Sequence, residues 1–419
     1  MDRIELLMPA GNIEKMQYAI SYGADAIYLG IVDYSLRTVK SGNLITRQNI
    51  AEAVKIAHDK NVKAYVTANI FAHNDDIEQL PQFLEELADV KPDGIIFGDS
   101  GIYPLIKKYC PNIPMHISTQ ANILNYEAVS FWRDLGAERV ILARELSLQD
   151  IEKIAQKVSD IELEVLIHGS LCVAYSGRCL ISDYMTENKR KSNQGNCTQS
   201  CRWKYNIVEE RRPGQYFEIG EDEGKGTYLL NPKDLALVEY IPQLINAGVH
   251  SLKVEGRTKS MYYASMVAKS YREAIDAYYE NKAIDTNKLL DDLSQVGNRG
   301  FTTGFLMEKP DHSHYAYNTN ASQLLSTFVG TVTEKLSDNT YKITAKNQFK
   351  VGEIIDWITP DSEYSATIKT IKKMLSDGSI VDSNVADTND IAILEYEGNP
   401  IENWQWTILR RKEKVNVKA

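Results

Sequence analysis

Four of the chain's five cysteines, Cys172, Cys179, Cys197 and Cys201, fall within 30 residues in the spacing C-x6-C-x17-C-x3-C. In a reducing compartment, thiols gathered in this way bind metal or carry out redox chemistry more readily than they form disulfides. The spacing is not the paired C-x2-C of a zinc ribbon, yet four thiolates can hold zinc tetrahedrally. Four cysteines are also what a 4Fe–4S cluster takes, so spacing leaves the two metals open. The fifth, Cys110, closes an apparent helix in "PLIKKYC" and reads as structural. Around the four thiols the chain is basic and aromatic: Lys189, Arg190 and Lys191, then Arg202, Trp203, Lys204 and Tyr205, with Arg211 and Arg212 further on. Basic side chains meet phosphates while aromatic rings stack on unpaired bases, a combination suited to single-stranded RNA. A solvated loop whose arginines offset thiolate charge would have the same composition.

A second set of polar residues takes its meaning from the elements that carry it. Short Val- and Ile-rich runs recur at 4–10, 26–30, 63–69, 94–99, 114–119, 139–143, 163–169 and 251–256, with amphipathic helical stretches such as "ITRQNIAEAVKIAHDK" between most of them. Such runs read as parallel strands joined by crossover helices, and eight of them close a (β/α)8 barrel. The ends of barrel strands line the active face, and here those ends turn polar together: Asn69, Asp99, His116, Ser118, Thr119, Gln120, Asn122, Arg144, Glu145, His168, Lys253, Glu255 and Arg257, with Pro9, Gly11 and Gly30 beside them. The rhythm breaks once, where roughly 80 residues separate the seventh and eighth runs and hold all four clustered cysteines. We therefore expect a barrel domain over 1–320 with a cysteine loop at 170–232. Period-two alternation with turn signals at "SDNT", "SDGS" and "EGNP" predicts a small antiparallel β-barrel over 327–412, followed by a tail at 413–419.

The formal charge of −10 argues against a chain-wide electrostatic grip on nucleic acid and asks for a local basic surface instead. No basic segment followed by a long apolar run opens the sequence, and no apolar stretch of about 18 residues occurs, so a cytoplasmic protein without a membrane span is expected. The chain lacks the HExxH, GxSxG and GxxxxGK[ST] patterns of zinc proteases, serine hydrolases and phosphate loops.

The blocks "ELLMPAGN", "YGADAIYLG", "HISTQAN", "IHGSLCVAYSGRCLISDYMT", "CTQSCRWKY", "SLKVEGRTKSMYYA" and "NRGFTTGF" resemble those of the collagenase-like peptidases, the U32 peptidase family, over nearly the whole chain. Within it, the length, the end of the cysteine loop and the single C-terminal β-domain are most similar to the group that hydroxylates the tRNA wobble uridine to 5-hydroxyuridine, without oxygen and with prephenate as co-substrate. The resemblance implies an iron–sulfur cluster on Cys172, Cys179, Cys197 and Cys201, with zinc as the alternative, and the tRNA anticodon loop as partner. In that reading Arg144, Lys253 and Arg257 hold the carboxylates of the small co-substrate, while His168 and Glu255 move protons. Asn69, His116 and Gln120 contact substrate, and Trp203 or Tyr205 stacks on a base. Two other readings stand beside it: a metal-dependent collagenase-like peptidase, and a zinc-stiffened RNA-binding protein without catalysis. Whether the substrate is tRNA, rRNA or protein, and the oligomeric state, are not legible in the sequence.

Overall fold

The computed structural model describes residues 3–31, 34–35, 44–172, 174–187, 189–203, 207–208, 216–217, 232–310, 314–316, 325–398 and 400–413. Tyr205, Lys204, Arg211 and Arg212 lie outside them. The first strands are β1 (Glu5–Ala10), β2 (Ala26–Gly30), β3 (Lys63–Thr67), β4 (Gly94–Phe97), β5 (Met115–Ile117), β6 (Arg139–Ile141) and β7 (Glu162–Ser170). Between them run α1 (Ile13–Ser21), α2 (Ile50–His58), α3 (Asn74–Val90), α4 (Tyr103–Tyr109), α5 (Tyr126–Asp134) and α6 (Leu148–Lys157). Several helices start where the sequence supplies a cap: Asn12, Asn125 and Ser147 each accept a hydrogen bond from a first-turn amide of α1, α5 and α6.

The cysteine insertion follows, with the short helix α7 (Ile181–Met185) and two antiparallel two-residue strands, β8 (Ile207–Val208) and β9 (Tyr216–Phe217). The chain returns through β10 (Asp234–Ala236) and α8 (Ile241–Asn246) to β11 (Ser251–Val254). This eighth parallel strand pairs with both β1 and β7 and closes the barrel. After α9 (Met261–Tyr279) and α10 (Thr286–Ser294), β12 (Phe301–Thr302) pairs with β10, which lies antiparallel to β7. Residues Ser170 and Asp234 face each other in that pairing, so the insertion leaves and re-enters the barrel at one point. The Ser170 hydroxyl and the Arg299 guanidinium both reach Asp234, each at 3.2 Å. No helix among the described residues is long and apolar enough to cross a membrane.

The remaining strands are β13 (Ser326–Ser337), β14 (Thr340–Ala345), β15 (Phe349–Lys350), β16 (Ile354–Ile358), β17 (Glu363–Met374), β18 (Ile380–Ser383), β19 (Val385–Ala386), β20 (Ile391–Glu397) and β21 (Ile408–Lys412). Six of them, in the order β16-β21-β13-β14-β20-β17, close through a β16–β17 pairing into an antiparallel barrel with its own core around Tyr341, Trp357 and Tyr396. It is fastened to the outer helices of the first barrel. The Tyr22 hydroxyl donates to the Ile358 and Trp406 carbonyls at 2.7 and 3.0 Å, Tyr262 stacks on Phe328, and the Lys269 ammonium donates to the Thr359 and Pro360 carbonyls.

Inside the larger barrel, alternate residues of each strand face the axis and fill it in layers. The lowest layer is charged. Arg139, from β6, reaches across to Glu5 of β1 at 2.6 Å and to Glu164 of β7 at 3.1 Å, and Lys253 of β11 meets Glu164 at 2.8 Å. The Tyr65 and Ser251 hydroxyls also bond Glu5. Burial pushes the Glu5 carboxyl up, but the Arg139 charge and the hydrogen bonds from Arg139, Tyr65 and Ser251 outweigh it and leave the group below its ordinary value. Above this layer sits an apolar one that includes Leu7, Tyr28, Ile96 and Ile141.

Candidate active site at the barrel mouth

Above the apolar layer, a recess partly open to solvent is lined by Tyr28, Thr67, Asn69, Ile96, Ser118, Thr119, Gln120, Ile141, Arg144, Leu166, Lys253, Glu255 and Arg257. Eight of the residues expected from the strand ends therefore meet here: Asn69, Ser118, Thr119, Gln120, Arg144, Lys253, Glu255 and Arg257. Three cationic side chains and one carboxylate line the space. The Arg257 guanidinium donates to Ser35 Oγ at 2.5 Å and Thr67 Oγ1 at 3.2 Å. Its position depends on Gly30, where an added Cβ would stand 1.3 Å from Arg257 Nη1. Glu255 accepts from the Gly256 amide at 3.1 Å, and the same carboxylate oxygen lies 3.4 Å from the Tyr28 hydroxyl, whose shorter bond, 3.0 Å, goes to the Val254 carbonyl. Lys253 forms part of the floor. Its ammonium is buried, is paired with Glu164 and lies 4.5 Å from the centre of the Tyr28 ring, so it contributes fixed positive charge rather than a mobile arm.

The other expected strand-end residues, Asp99, His116, Asn122, Glu145 and His168, do not line the recess. His168 was expected to move protons there, but the register between β7 and β11 shifts between Lys253 and Val254, and beyond this irregularity the side chain no longer follows Glu164 and Leu166 toward the axis. It is buried among Tyr263, Tyr271 and Phe301, with Nδ1 3.3 Å from the Tyr271 hydroxyl. Burial pulls its pKa down to about 4, against the opposing pull of Asp234, so the ring is neutral at physiological pH. His116 faces the axis one layer too low, edge-on to Tyr65, and burial holds it well below its ordinary range. Sequence reasoning missed Tyr28 and Thr67, which stand two residues before Gly30 and Asn69; stepping back by one strand period from those ends finds them.

His168 and Glu5 give a pH dependence with a definite sign. Both have folded-state pKa values below their unfolded ones, so the stability they contribute is complete above the unfolded values and is lost as pH falls through the folded ones. For His168 the window runs from 6.5 down to about 4, a difference worth about 3 kcal/mol. Urea unfolding is expected to show constant stability above pH 7 and a decline between pH 6.5 and 4. In His168→Gln that part of the decline disappears.

The cysteine insertion is docked on the rim of the recess. Ser176, fully buried between Cys172 and Cys179, accepts from Arg144 Nε and Nη2 at 3.2 and 3.1 Å, and its amide donates to Glu145 at 3.0 Å. Gly177 has φ +75°, and a Cβ there would stand 2.5 Å from the Gln120 carbonyl oxygen, so the backbone approaches the end of β5 as only glycine allows. The Phe71 amide donates to the Asn193 carbonyl at 3.1 Å on another side. Ser192 and Asn193 both donate to the Cys179 carbonyl, and Ser182 bonds Thr198, so the insertion is also tied to itself. Replacing Ser176 by alanine removes one hydroxyl from the junction. We expect the Michaelis constant for a carboxylate bound at Arg144 to rise about tenfold, with kcat changed less than threefold, as initial-rate kinetics will show.

Of the four clustered cysteines, Cys172 and Cys197 are exposed, and Cys179 and Cys201 half-buried. Burial pushes the Cys179 thiol up, the Ile181 amide pulls it down, and the neighbouring Cys172 and Cys197 push it up again, so these three sulfurs interact electrostatically. The Gln199 amide donates to Cys197 Sγ at 3.3 Å. Among the described residues no three metal-ligating side chains converge on one position. The donor set is nonetheless of the type that iron–sulfur clusters and zinc both take. Cys110 stands apart as expected, its thiol donating to the Leu84 carbonyl at 2.9 Å and raised by burial to about 12. Trp203 is exposed on the insertion.

Residues 11–316 match the family described as Peptidase family U32. The chain is 38% identical over 410 residues to the tRNA hydroxylation protein P of Escherichia coli strain K12, an alignment covering 88% of this chain and 89% of that one. It is 40% identical over 373 residues to the tRNA hydroxylation protein P1 of Bacillus subtilis strain 168, covering 88% and 86%. Over 317 residues it is 31% identical to a protein of Porphyromonas gingivalis named collagenase, covering 72% and 73%.

Proposed function

The chain belongs to peptidase family U32, and from that premise we propose that it is an RNA hydroxylase forming 5-hydroxyuridine at the wobble position of tRNA in the cytoplasm. The small co-substrate in this reading is prephenate, and the cofactor is a 4Fe–4S cluster on Cys172, Cys179, Cys197 and Cys201. The observation that carries it is the junction at Ser176: the cysteine-bearing insertion is hydrogen-bonded directly to Arg144, a cation of the recess. A redox centre in the insertion and an anion in the recess are then neighbours within one site.

Hydroxylating a pyrimidine carbon requires redox chemistry that ordinary side chains do not supply, and a bound cluster supplies it. The chain's own residues do the rest. Arg144 and Arg257 meet carboxylates through charge-assisted hydrogen bonds. Lys253, fixed by Glu164, adds positive potential from below. Glu255, held by the Gly256 amide, is the carboxylate placed to accept or return a proton in the recess.

Two relatives at 38% and 40% identity are named for tRNA hydroxylation, and the relative named collagenase lies further away at 31%. Four thiolates on one ion would also leave no open position for an activated water, which counts against metal-dependent proteolysis. The test is direct. Full-length protein purified without air is incubated with unmodified tRNA and prephenate, and the nucleosides are read by mass spectrometry. A gain of one oxygen on uridine supports the proposal; unchanged tRNA together with cleavage of gelatin would replace it with the peptidase reading.

A further inference from the structure

We propose that the outer face of the cysteine insertion is a platform on which unpaired RNA bases stack, with Tyr175 and Tyr184 as its aromatic anchors and Lys189, Arg190 and Lys191 as its phosphate contacts. This rests on the reading of the chain as an RNA hydroxylase and specifies where the RNA lies.

The observation is a concentration of exposed apolar surface. Among the described residues of the larger barrel, the exposed large hydrophobics are Phe131, Met307 and five residues of the insertion: Tyr175, Leu180, Tyr184, Met185 and Trp203. Tyr184 is 78% exposed and Tyr175 56%, values that stability alone does not favour for aromatic rings. Leu180 and Tyr184 lie one helical turn apart, joined by a backbone hydrogen bond of 3.1 Å. The bond between Ser182 and Thr198 ties α7 to the segment that leads to Trp203. Tyr175 adjoins Ser176, the residue that bonds Arg144, so one end of the face borders the recess.

Charge identifies the partner. Residues 171–203 contain five basic side chains, Arg178, Lys189, Arg190, Lys191 and Arg202, against two acidic ones, Asp183 and Glu187, a local net of +3 in a chain of −10. Lys189, Arg190 and Lys191 are all exposed. Aromatic rings flanked by cations at the rim of a recess are what a splayed single strand requires: rings for the bases, cations for the phosphates.

The experiment compares a fluorescein-labelled RNA hairpin with an unpaired loop and a blunt RNA duplex of equal length, titrated with anaerobically purified full-length protein. Tyr175→Ala and Tyr184→Ala are each expected to weaken hairpin binding about tenfold. Both should leave duplex binding and iron content unchanged, and the phenylalanine variants should bind as the parent does. Neutralising Lys189, Arg190 and Lys191 to glutamine should reduce the slope of log affinity against log salt by about 2. Hairpin affinity within twofold of the parent in the double alanine variant overturns the platform, as does an equal loss on hairpin and duplex. If that variant keeps full hairpin affinity yet loses hydroxylation, the face serves a step other than RNA binding and the proposal again fails. In each of these cases continued hydroxylation by the parent protein leaves the reading of the activity standing, whereas a parent that neither binds the hairpin nor modifies RNA sinks both.

Discussion

Replacing Arg139 by methionine is expected to destabilise the barrel by about 3–5 kcal/mol, more than any other single change on its inner face. The side chain is 3% exposed and joins Glu5, Glu162 and Glu164, drawn from β1 and β7 on either side of the barrel axis. Removing it leaves the Glu5 carboxylate in the interior with Tyr65 and Ser251 as hydrogen-bond donors and, as its remaining cation, only the exposed Lys63 ammonium at 3.9 Å. An uncompensated buried charge is far more costly than the pair is stabilising, because desolvation is no longer offset. Pairing Arg139→Met with Glu5→Gln removes the charge as well as its partner, so the double variant should recover at least half of the loss. Urea unfolding followed by circular dichroism measures both. A loss below about 1 kcal/mol in the single variant, or no recovery in the double, would show that the network does not hold the barrel together.

Arg144→Met carries the largest expected effect on activity. Its guanidinium stands where the recess and the cysteine insertion meet, hydrogen-bonded to Ser176 and facing the space a small acid would occupy. Hydrogen bonds to charged groups contribute about 1.5–3 kcal/mol each, so on the proposed reading removal of the guanidinium is expected to lower kcat/KM for a carboxylate co-substrate by about 100-fold. Lysine keeps the charge but not the planar fork, and Arg144→Lys should recover only part of the rate. Iron content and melting temperature should stay at parental values in both variants. A variant that loses iron together with activity would recast Arg144 as a support for the insertion.

Much of this architecture was legible in the sequence because parallel strands buried on both faces read as unbroken apolar runs. All eight barrel strands fall where those runs do, and the antiparallel strands of the second barrel fall where alternation marks them. The short β10 and β12, three and two residues long, have too little pattern to register. The site was legible to the extent that strand ends could be located. Asn69, Gln120, Arg144, Lys253, Glu255 and Arg257 came together because each follows or ends an identifiable strand. His168 did not, because a local register irregularity turned it away from the axis, and single-residue shifts of this kind leave no compositional trace. His116 kept the expected parity but lies one layer down, a depth that periodicity does not report. Ser176 and Ser35 come from loops, whose conformation is set by tertiary contacts that local pattern does not report.

The account rests on the recess and the cysteine insertion acting as one RNA-hydroxylating site. The most direct measurement is mass spectrometry of tRNA nucleosides from cells lacking the gene, complemented with the parent sequence, with Cys179→Ser or with Arg144→Met, alongside iron analysis of each protein purified without air. We predict that 5-hydroxyuridine derivatives disappear on deletion and return with the parent. Cys179→Ser should lack both iron and the modification, and Arg144→Met should retain iron but not restore it. Undiminished modification in the deletion strain, or full restoration by the iron-free cysteine variant, would contradict the account.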